Sequence, residues 1–277
     1  MKLDQIKEHW DNLAKKYATD LKSTTKTPTI KKLEINAISK TIQSLNLNHN
    51  QPTKILEVGC GNGHNLFSLS EQISNANLTG IDYSSQMIDN ARQLNQDKKS
   101  PPINFFVGNI LELSDNKDLK QEYDIVFTDR CIINLNTVER QLKAIENLHK
   151  KLCVGGHLII LENFLNSYGN QNFCRQALGL KKRTPDKYNL FIDEKEFIKF
   201  TTGRLNLELI EANSFGSLHD LMLYVLLPAV NNGNVDYSHP IMDAVTQLLI
   251  NIETDFKNSF GDFGQNRLYL FRKPKES

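Results

Sequence analysis

Short apolar runs alternate with amphipathic stretches through the middle of the chain. The runs predict five strands, near residues 54–58, 77–81, 103–107, 123–128 and 157–162. Helical periodicity predicts helices between the first four strands and again at residues 138–151, ahead of the fifth. Strands that alternate with helices are typical of a parallel sheet covered by helices on both faces.

Two further helices are predicted before the first strand. Apolar side chains recur at helical spacing over residues 3–20, namely at Leu3, Ile6, Trp10, Leu13 and Tyr17. A polar loop at residues 19–29 follows, and a second helix is predicted from about residue 30 to residue 45. The apolar face of the first helix either packs on the core or closes over a ligand.

A glycine-rich stretch, KILEVGCGNG at residues 54–63, joins the first predicted strand to a helix. Gly59, Gly61 and Gly63 can adopt positive φ and let backbone N–H groups approach a ligand. The dinucleotide fingerprint needs glycine at the first, third and sixth places, but the sixth place here is His64. The pattern therefore indicates a cofactor loop that differs from those of nicotinamide enzymes.

Polar residues or a glycine stand at the ends of the five predicted strands: Gly59, Asp82, Asn109, Asp129 and Glu162. The carboxyl ends of parallel strands lie at one edge of a sheet, where open α/β folds bind their ligands. We therefore expect a ligand site at this edge.

The glycine loop resembles motif I of the class I S-adenosylmethionine-dependent methyltransferases, in which an acidic residue precedes the first glycine by two positions, as Glu57 does here. The resemblance continues in order through LTGIDYSSQM (78–87), FFVGNI (105–110), YDIVFT (123–128) and LCVGGHLIILE (152–162). It implies an α/β, Rossmann-like fold with a doubly wound, mostly parallel seven-stranded sheet. The last strand, residues 265–272, would be antiparallel and lie beside a sixth strand at residues 205–212.

The resemblance also implies how S-adenosylmethionine is held. Asp82 would bind the ribose hydroxyls, Tyr83 and Met87 would flank the adenine, and Tyr17 would reach the methionine carboxylate. Asn109 departs from the aspartate common in the family, but an amide can still accept a hydrogen bond from the adenine amino group. The complete set of expected cofactor residues is Tyr17, Glu57, Gly59, Cys60, Gly61, Gly63, Asp82, Tyr83, Met87, Asn109, Ile110, Asp129 and Arg130.

Structural roles compete with several of these assignments. Asp82 can cap the following helix, Tyr83 and Met87 can be packing residues, and Asp129 with Arg130 can be a solvated loop pair. For catalysis, Glu162 is the first candidate base and His219 the second. Glu162 can equally be a structural carboxylate that accepts hydrogen bonds from loop N–H groups.

Two regions exceed the minimal fold. Residues 163–191 carry the basic triplet KKR at 181–183, which is either a solvated turn or a contact to an acceptor phosphate or carboxylate. Residues 214–263, with helical periodicity at 218–230 and 241–256, predict a helical cap that serves as a lid or a dimer interface. We expect three units. They are an N-terminal helical cap (1–50), the cofactor-binding domain (51–212 with 264–277) and the cap insertion (213–263).

Composition narrows the choice of partners. Lysine and arginine (33) nearly balance aspartate and glutamate (32), which disfavours a nucleic-acid substrate. There is no leader-like start or long uncharged apolar run, so we expect a cytoplasmic protein without a membrane span. Four cysteines without a Cys-x-x-Cys pair predict reduced thiols, and the histidines lack metal-binding spacing, so no metal is expected.

The sequence therefore predicts a transferase for the methylation of a small or medium-sized acceptor. DRCIINL (129–135), ENF (162–164) and FGDFGQNR (260–267) resemble a bacterial subgroup that modifies surface carbohydrates or specialised metabolites. An aminopropyl-type transferase and a catalytically silent cofactor-binding subunit are the alternatives. The acceptor molecule, the acceptor atom and the presence of a homo-oligomer stay open.

Overall fold

The computed structural model describes residues 2–45, 47, 51–73, 75–97, 103–114, 116–119, 122–252 and 259–275. Within these residues the strands are β1 (Thr53–Val58), β2 (Ala76–Asp82), β3 (Asn104–Val107), β4 (Tyr123–Asp129), β5 (Leu152–Asn163), β6 (Glu208–Asn213) and β7 (Asn266–Arg272). They form one sheet in the order β3-β2-β1-β4-β5-β7-β6. The predicted seven-stranded, doubly wound sheet is confirmed.

The helices of the described residues are α1 (Leu3–Tyr17), α2 (Pro28–Ser44), α3 (His64–Gln72), α4 (Ser85–Asp97), α5 (Val138–Lys150), α6 (Leu165–Ala177), α7 (Glu194–Ile198), α8 (Ser217–Leu221), α9 (Leu227–Val230) and α10 (Ile241–Asn251). A proline at the start of α2 suits the first helical turn, where its missing N–H costs no hydrogen bond. None of the described helices is long and apolar enough to cross a membrane.

Two apolar layers bury the two faces of the sheet. Side chains alternate along a strand, so Leu56 of β1 and Val126 of β4 belong to one layer, while Ile55 and Phe127 belong to the other. All four are completely buried. This explains why the central strands read as continuous apolar runs, as expected for strands covered on both faces.

The strand direction reverses at β7, near one edge of the sheet. Strands β1 to β5 pair in parallel, whereas β7 pairs antiparallel with both β5 and β6. The chain therefore leaves β6 and enters β7 at the edge where the parallel strands end. Residues 214–263, which join these two strands, emerge on the side expected for the ligand.

The connection between β3 and β4 differs from the prediction of a helix. Its described residues contain only a 3₁₀ turn, Ile110–Glu112, whose first N–H groups are capped by Asn109. Helix α5 packs over this turn, and Asn147 Nδ2 donates to the Ile110 carbonyl at 3.0 Å. The helix α5 thus covers the face that a helix in this connection would have covered.

The insertion between β6 and β7 is helical, as predicted. Helix α8 continues through a π-helical turn, Met222–Leu226, into α9, and α10 then packs against α2. Val245 and Leu249 of α10 lie in the same buried layer as Ile38 of α2. Helix α2 therefore offers apolar surface to the insertion. The predicted continuation of α10 over residues 253–256 lies outside the described residues.

Candidate active site

A cavity of about 980 Å³ lies at the carboxyl edge of the parallel strands. Its floor is the glycine turn after β1, together with the ends of β2 and β4. Helix α1, residues 22–27 and residues 182–191 form its walls, and α1 contacts the last of these segments through the stacked rings of His9 and Tyr188. Tyr224 and Tyr237 of the insertion also line it.

The glycine turn is tightly packed against two other segments. Gly59 and Gly61 have φ of 80° and 53°, which glycine adopts without strain. A Cβ on Gly59 would overlap the Cys131 side chain, and a Cβ on Gly61 would lie 2.7 Å from Thr24 Cγ2. These glycines therefore let the loop after β4 and the N-terminal segment close around the turn.

Asp82, at the end of β2, is oriented by the backbone. Its Oδ2 accepts from the Gly61 N–H at 2.8 Å, and its Oδ1 accepts from the Ser84 N–H at 2.8 Å. Each carboxylate oxygen can accept more than one hydrogen bond, so capacity remains toward the cavity that Asp82 lines. Burial raises the pKa of Asp82, although the two backbone donors oppose this shift.

A buried cluster of charges, Lys31, Glu34, Asp129 and Arg130, links α2 to the end of β4. Lys31 Nζ donates to Asp129 Oδ2, and Arg130 Nε lies 2.9 Å from Glu34 Oε1. Burial favours a raised pKa for Asp129, but the charges of Lys31 and Arg130 and the hydrogen bonds from Lys31 and Asn65 together outweigh it and lower the pKa. Burial raises the pKa of Glu34 to about 7. Arg130 has a φ of 55°, an uncommon conformation for a residue other than glycine.

Glu57 joins this cluster through Asn65. Asn65 Nδ2 donates to Glu57 Oε1 at 2.6 Å and to Asp129 Oδ2 at 3.0 Å. The other carboxylate oxygens, Glu57 Oε2 and Asp129 Oδ1, are buried and have no hydrogen-bond partner among the described residues. Burial raises the pKa of Glu57 to about 8. Both residues line the cavity, so these two carboxylate oxygens can accept hydrogen bonds from a ligand bound there.

Amide side chains fasten the N-terminal segment over the cavity. Asn62, inside the glycine turn, donates from Nδ2 to Ser23 Oγ at 2.8 Å and to the Asp20 carbonyl at 3.1 Å. Trp10 Nε1 donates to Asn134 Oδ1 at 3.2 Å, which ties α1 to the loop after β4. The N-terminal helix therefore contacts the site, as its amphipathic pattern allowed.

The profile of a family described as a methyltransferase domain matches residues 49–187. The chain belongs to this family. A malonyl-[acyl-carrier protein] O-methyltransferase of Priestia megaterium is 28% identical over an alignment of 141 residues. The alignment covers 47% of this chain and 46% of the relative. A tRNA N(3)-methylcytidine methyltransferase of Schizosaccharomyces pombe is 29% identical over 151 residues, 53% of this chain and 55% of the relative. The chain thus spans about half the length of the curated relatives it matches.

Solved methyltransferases share the fold over most of the chain. Magnesium protoporphyrin IX methyltransferase from Synechocystis, solved with bound S-adenosylhomocysteine, has a TM-score of 0.55 at 14% identity, covering 87% of this chain and 83% of that one. The plantazolicin methyltransferase, solved with a substrate analogue and S-adenosylhomocysteine, has a TM-score of 0.54 at 16% identity, covering 99% and 98%. At these identities the likeness establishes the class I methyltransferase fold.

S-Adenosylmethionine is the cofactor of class I methyltransferases, and the residues of this methyltransferase fit its charged groups. The cofactor carries an ammonium group, and Glu57 Oε2 and Asp129 Oδ1 are buried acceptors that receive no hydrogen bond from the described residues, with Arg130 Nε 3.7 Å from Asp129 Oδ1. The fixed Asp82 carboxylate offers the acceptor geometry that a ribose diol needs.

The cavity brings together most of the predicted cofactor residues. Those that line it are Tyr17, Glu57, Gly59, Cys60, Gly61, Asp82, Tyr83, Met87, Asn109, Ile110, Asp129 and Arg130. Gly63 does not line it. Its φ of 85° starts α3, and a Cβ there would lie 2.7 Å from the Phe105 ring. Gly63 therefore serves packing behind the turn, and its expected place beside the cofactor is corrected.

Glu162 is a buried structural carboxylate. It does not line the cavity and is completely buried. Its Oε1 accepts from the N–H groups of Cys131 and Ile132 at 2.9 and 2.8 Å, and its Oε2 accepts from that of Ile133 at 3.2 Å. Burial raises its pKa to about 8, against the effect of these donors. The structure contradicts the candidate base and favours the alternative role, which is to hold the loop after β4.

His219 is also removed from the cavity. It is completely buried in the insertion, with Nε2 3.0 Å from Thr29 Oγ1 and Nδ1 3.0 Å from Asp220 Oδ1. Asp220 in turn accepts from the Gln265 N–H at 2.9 Å. His219 thus joins the insertion to the start of α2 and to β7, and its assignment as a base is corrected.

Sequence reasoning missed four polar residues that build the site: Lys31, Glu34, Asn62 and Asn65. Lys31 and Glu34 stand among apolar residues of α2, and that pattern was the available signal. Their partner Asp129 lies 98 positions away from Lys31. Asn62 sits between two glycines of the turn, and this position gave no signal of a role in the site.

Proposed function

We propose that this chain binds S-adenosylmethionine and transfers its methyl group to a small or medium-sized acceptor. The observation that carries the proposal is that the oriented Asp82 carboxylate lines one cavity with Glu57 and Asp129, each of which has a buried oxygen that receives no hydrogen bond from the described residues. Hydroxyl groups and an ammonium group are the ligand chemistry that this set accepts.

Within the proposal, Asp82 binds the ribose hydroxyls, while Glu57 and Asp129 bind the ammonium group. Tyr83, Met87, Asn109 and Ile110 form the adenine side of the cavity. Tyr17 lines the cavity from the end of α1, where its hydroxyl can donate to a carboxylate. The lysine and arginine of the charged cluster keep Asp129 ionised and oriented.

The bound cofactor supplies an electrophilic methyl group on a sulfonium, which an acceptor can displace in line. The chain's contribution is to hold the acceptor in place. Positioning of reactants can lower the activation free energy by up to about 7–11 kcal/mol. The Trp10–Asn134 bond closes the wall against water, and the backbone N–H bonds to Glu162 fix the loop that carries Arg130. Amide and phenol side chains that also line the cavity, including Asn163, Asn189 and Tyr224, orient the acceptor.

The acceptor class rests on cavity size and charge. The matched relatives are named for malonyl-[acyl-carrier protein] and for tRNA N(3)-methylcytidine, and the solved structures for magnesium protoporphyrin IX and for plantazolicin. Net charge is +1, which gives no strong general attraction for a polynucleotide. A small or medium-sized acceptor, such as a sugar or specialised metabolite, is the class we propose.

Two measurements test the proposal. Calorimetry should show saturable binding of S-adenosylhomocysteine and none of NADH. Incubation with methyl-labelled S-adenosylmethionine and a metabolite extract should then label a low-molecular-weight product. Cofactor binding without any labelled product, across extracts, would instead indicate the silent subunit. Tight NADH binding would overturn the cofactor assignment.

A further inference from the structure

Arg183 lies on the wall of the cavity that residues 182–191 form. It follows α6 in the segment that forms this wall, and it is half-buried. Its guanidinium lies flat over the Tyr224 ring at 3.4 Å from the centroid, and 5.1 Å from the centroid of Tyr168. Stacking on two rings fixes the plane of the guanidinium and lowers its freedom to move.

The hydrogen bonds of Arg183 leave one side of its guanidinium open. NH1 donates to Gln171 Oε1 at 2.5 Å and to Gln265 Oε1 at 3.1 Å. Nε and NH2 make no hydrogen bond with the described residues, and no carboxylate among them pairs with this cation. Nε–H and NH2 together form the fork that binds carboxylates and phosphates through two parallel hydrogen bonds.

A second guanidinium lies on the same side. Arg175 of α6 is almost completely buried, and its Nε donates to the Lys181 carbonyl at 2.8 Å. Its NH1 donates to the Tyr224 carbonyl. Arg175 therefore holds the two segments that position Arg183 and Tyr224, and its charge is balanced by carbonyl dipoles alone among the described residues.

The cations of this wall contrast with Arg130 near the cofactor carboxylates. Arg130 lies 2.9 Å from Glu34 Oε1 and also donates from NH2 to Glu34 Oε2 at 3.1 Å, so its charge is compensated within the chain. Arg183 has no such acid. An oriented, half-buried cation without a counter-ion attracts an anion more strongly than an exposed one, because local screening is weaker.

We propose that Arg183 binds an oxyanion, carboxylate or phosphate, on a flat acceptor that stacks within the aromatic side of the cavity. This inference rests on the proposed function and specifies its acceptor. Tyr168, Tyr188 and Phe191 line the space beside Arg183 and supply flat apolar surface. The anion fixes the acceptor at one end, so that its nucleophile faces the methyl group held at the other end.

The test uses binding to the protein saturated with S-adenosylhomocysteine. The probes are benzoate, phenyl phosphate and the neutral benzamide, each followed by saturation-transfer NMR. The variants are Arg183→Met, which keeps length without charge, and Arg183→Lys, which keeps charge without the fork. Arg204→Met is the matched control, because Arg204 is exposed, contacts the Phe200 ring and does not line the cavity.

Benzoate or phenyl phosphate should bind at least roughly tenfold more tightly than benzamide, and Arg183→Met should abolish that difference. Arg183→Lys should keep part of it, and Arg204→Met should keep all of it. Which anion binds better distinguishes a carboxylate from a phosphate acceptor. Equal binding of the three probes, no binding of any, or an unchanged preference in Arg183→Met overturns the inference. Calorimetry of the same variants with S-adenosylhomocysteine reports separately on the proposed function, because the hydrogen bonds of Arg183 go to Gln171 and Gln265 and involve neither Asp82 nor Glu57.

Discussion

Glu57 is a buried carboxyl whose charge state should depend on the cofactor. Its pKa is raised by burial from the ordinary 4.5 to about 8, so the free protein holds it mostly protonated at neutral pH. A cationic group beside it favours the ionised form and lowers the pKa. Binding at neutral pH should therefore release a proton, and affinity should increase as the pH rises toward about 8.

Calorimetry with S-adenosylhomocysteine in two buffers of different ionisation enthalpy measures this release. The wild type should show a buffer-dependent heat at neutral pH, and Glu57→Gln should not. Equal heats for the wild type would mean that Glu57 does not titrate on binding. The raised pKa also has a consequence for the free protein: the contribution of Glu57 to folding stability is present below pH 4.5 and is lost as the pH rises through about 8.

Asp82 should contribute mainly to cofactor affinity. Replacing it with alanine removes charge-assisted hydrogen bonds worth about 1.5–3 kcal/mol each, so affinity for S-adenosylhomocysteine should fall by at least roughly tenfold. It also frees the Gly61 and Ser84 N–H groups, so Asp82→Asn, which keeps one acceptor oxygen, should lose less. The exposed Asp89 on α4 gives a matched control, and Asp89→Ala should bind normally. Normal affinity in Asp82→Ala would remove Asp82 from the ribose site.

Glu162 should matter for stability and not for proton transfer. In Glu162→Gln an amide NH₂ replaces one acceptor oxygen and faces backbone N–H donors of the loop after β4. Each group left unpaired in this way lowers the free energy of unfolding by about 1–3 kcal/mol. Chemical unfolding should show a loss of stability of that size. The pH profile of turnover should keep its shape in the variant. A lost acidic limb in that profile would restore Glu162 as the base, because a general base must be deprotonated to act.

Helix α1 offers a direct optical probe of cofactor binding. Trp10 is the single tryptophan of the chain, and it lines the cavity while donating to Asn134. Its emission should change saturably on titration with S-adenosylhomocysteine, with the midpoint that calorimetry gives. In Asn134→Ala the free protein should already show altered emission, because the indole N–H loses its acceptor. An unchanged emission during calorimetrically proven binding would place α1 away from the cofactor.

The elements differ in how far the sequence determined them. The glycine turn and β1, β2 and β4 follow from local patterns, because apolar runs and glycines depend on neighbouring residues. The roles of Glu162 and His219 depend on contacts with residues far away in the chain, such as Thr29 for His219. The sequence placed Glu162 at the correct strand end, but only the path of the following loop decides whether its oxygens face N–H groups or a substrate. The packing of α10 on α2 likewise follows from tertiary structure alone.

At the scale of the whole molecule, the segments around the cavity should respond differently to the cofactor. Helix α1 and residues 22–27 and 182–191 line the cavity through side-chain contacts, whereas α10 has Met242 and Leu249 almost completely buried. Hydrogen exchange should therefore slow in α1 and in these two loops when S-adenosylhomocysteine binds, with α10 already protected. Slowing confined to residues 241–251 would instead support the insertion as the moving lid.

Strands β6 and β7 run in opposite directions at the edge of the sheet. The connection between them affects how the acceptor specificity of such a protein can change. Pairing of β7 with β5 and β6 and the buried contacts of α10 with α2 hold the connection in place, so its cavity-facing side chains can change while the strand ends stay where they are. The same junction opens beside the acceptor wall, which receives Tyr224 and Tyr237 from it. A library that varies only Tyr224 and Tyr237, and keeps the buried contacts of α8 and α10, would therefore explore new acceptors on an unchanged cofactor platform.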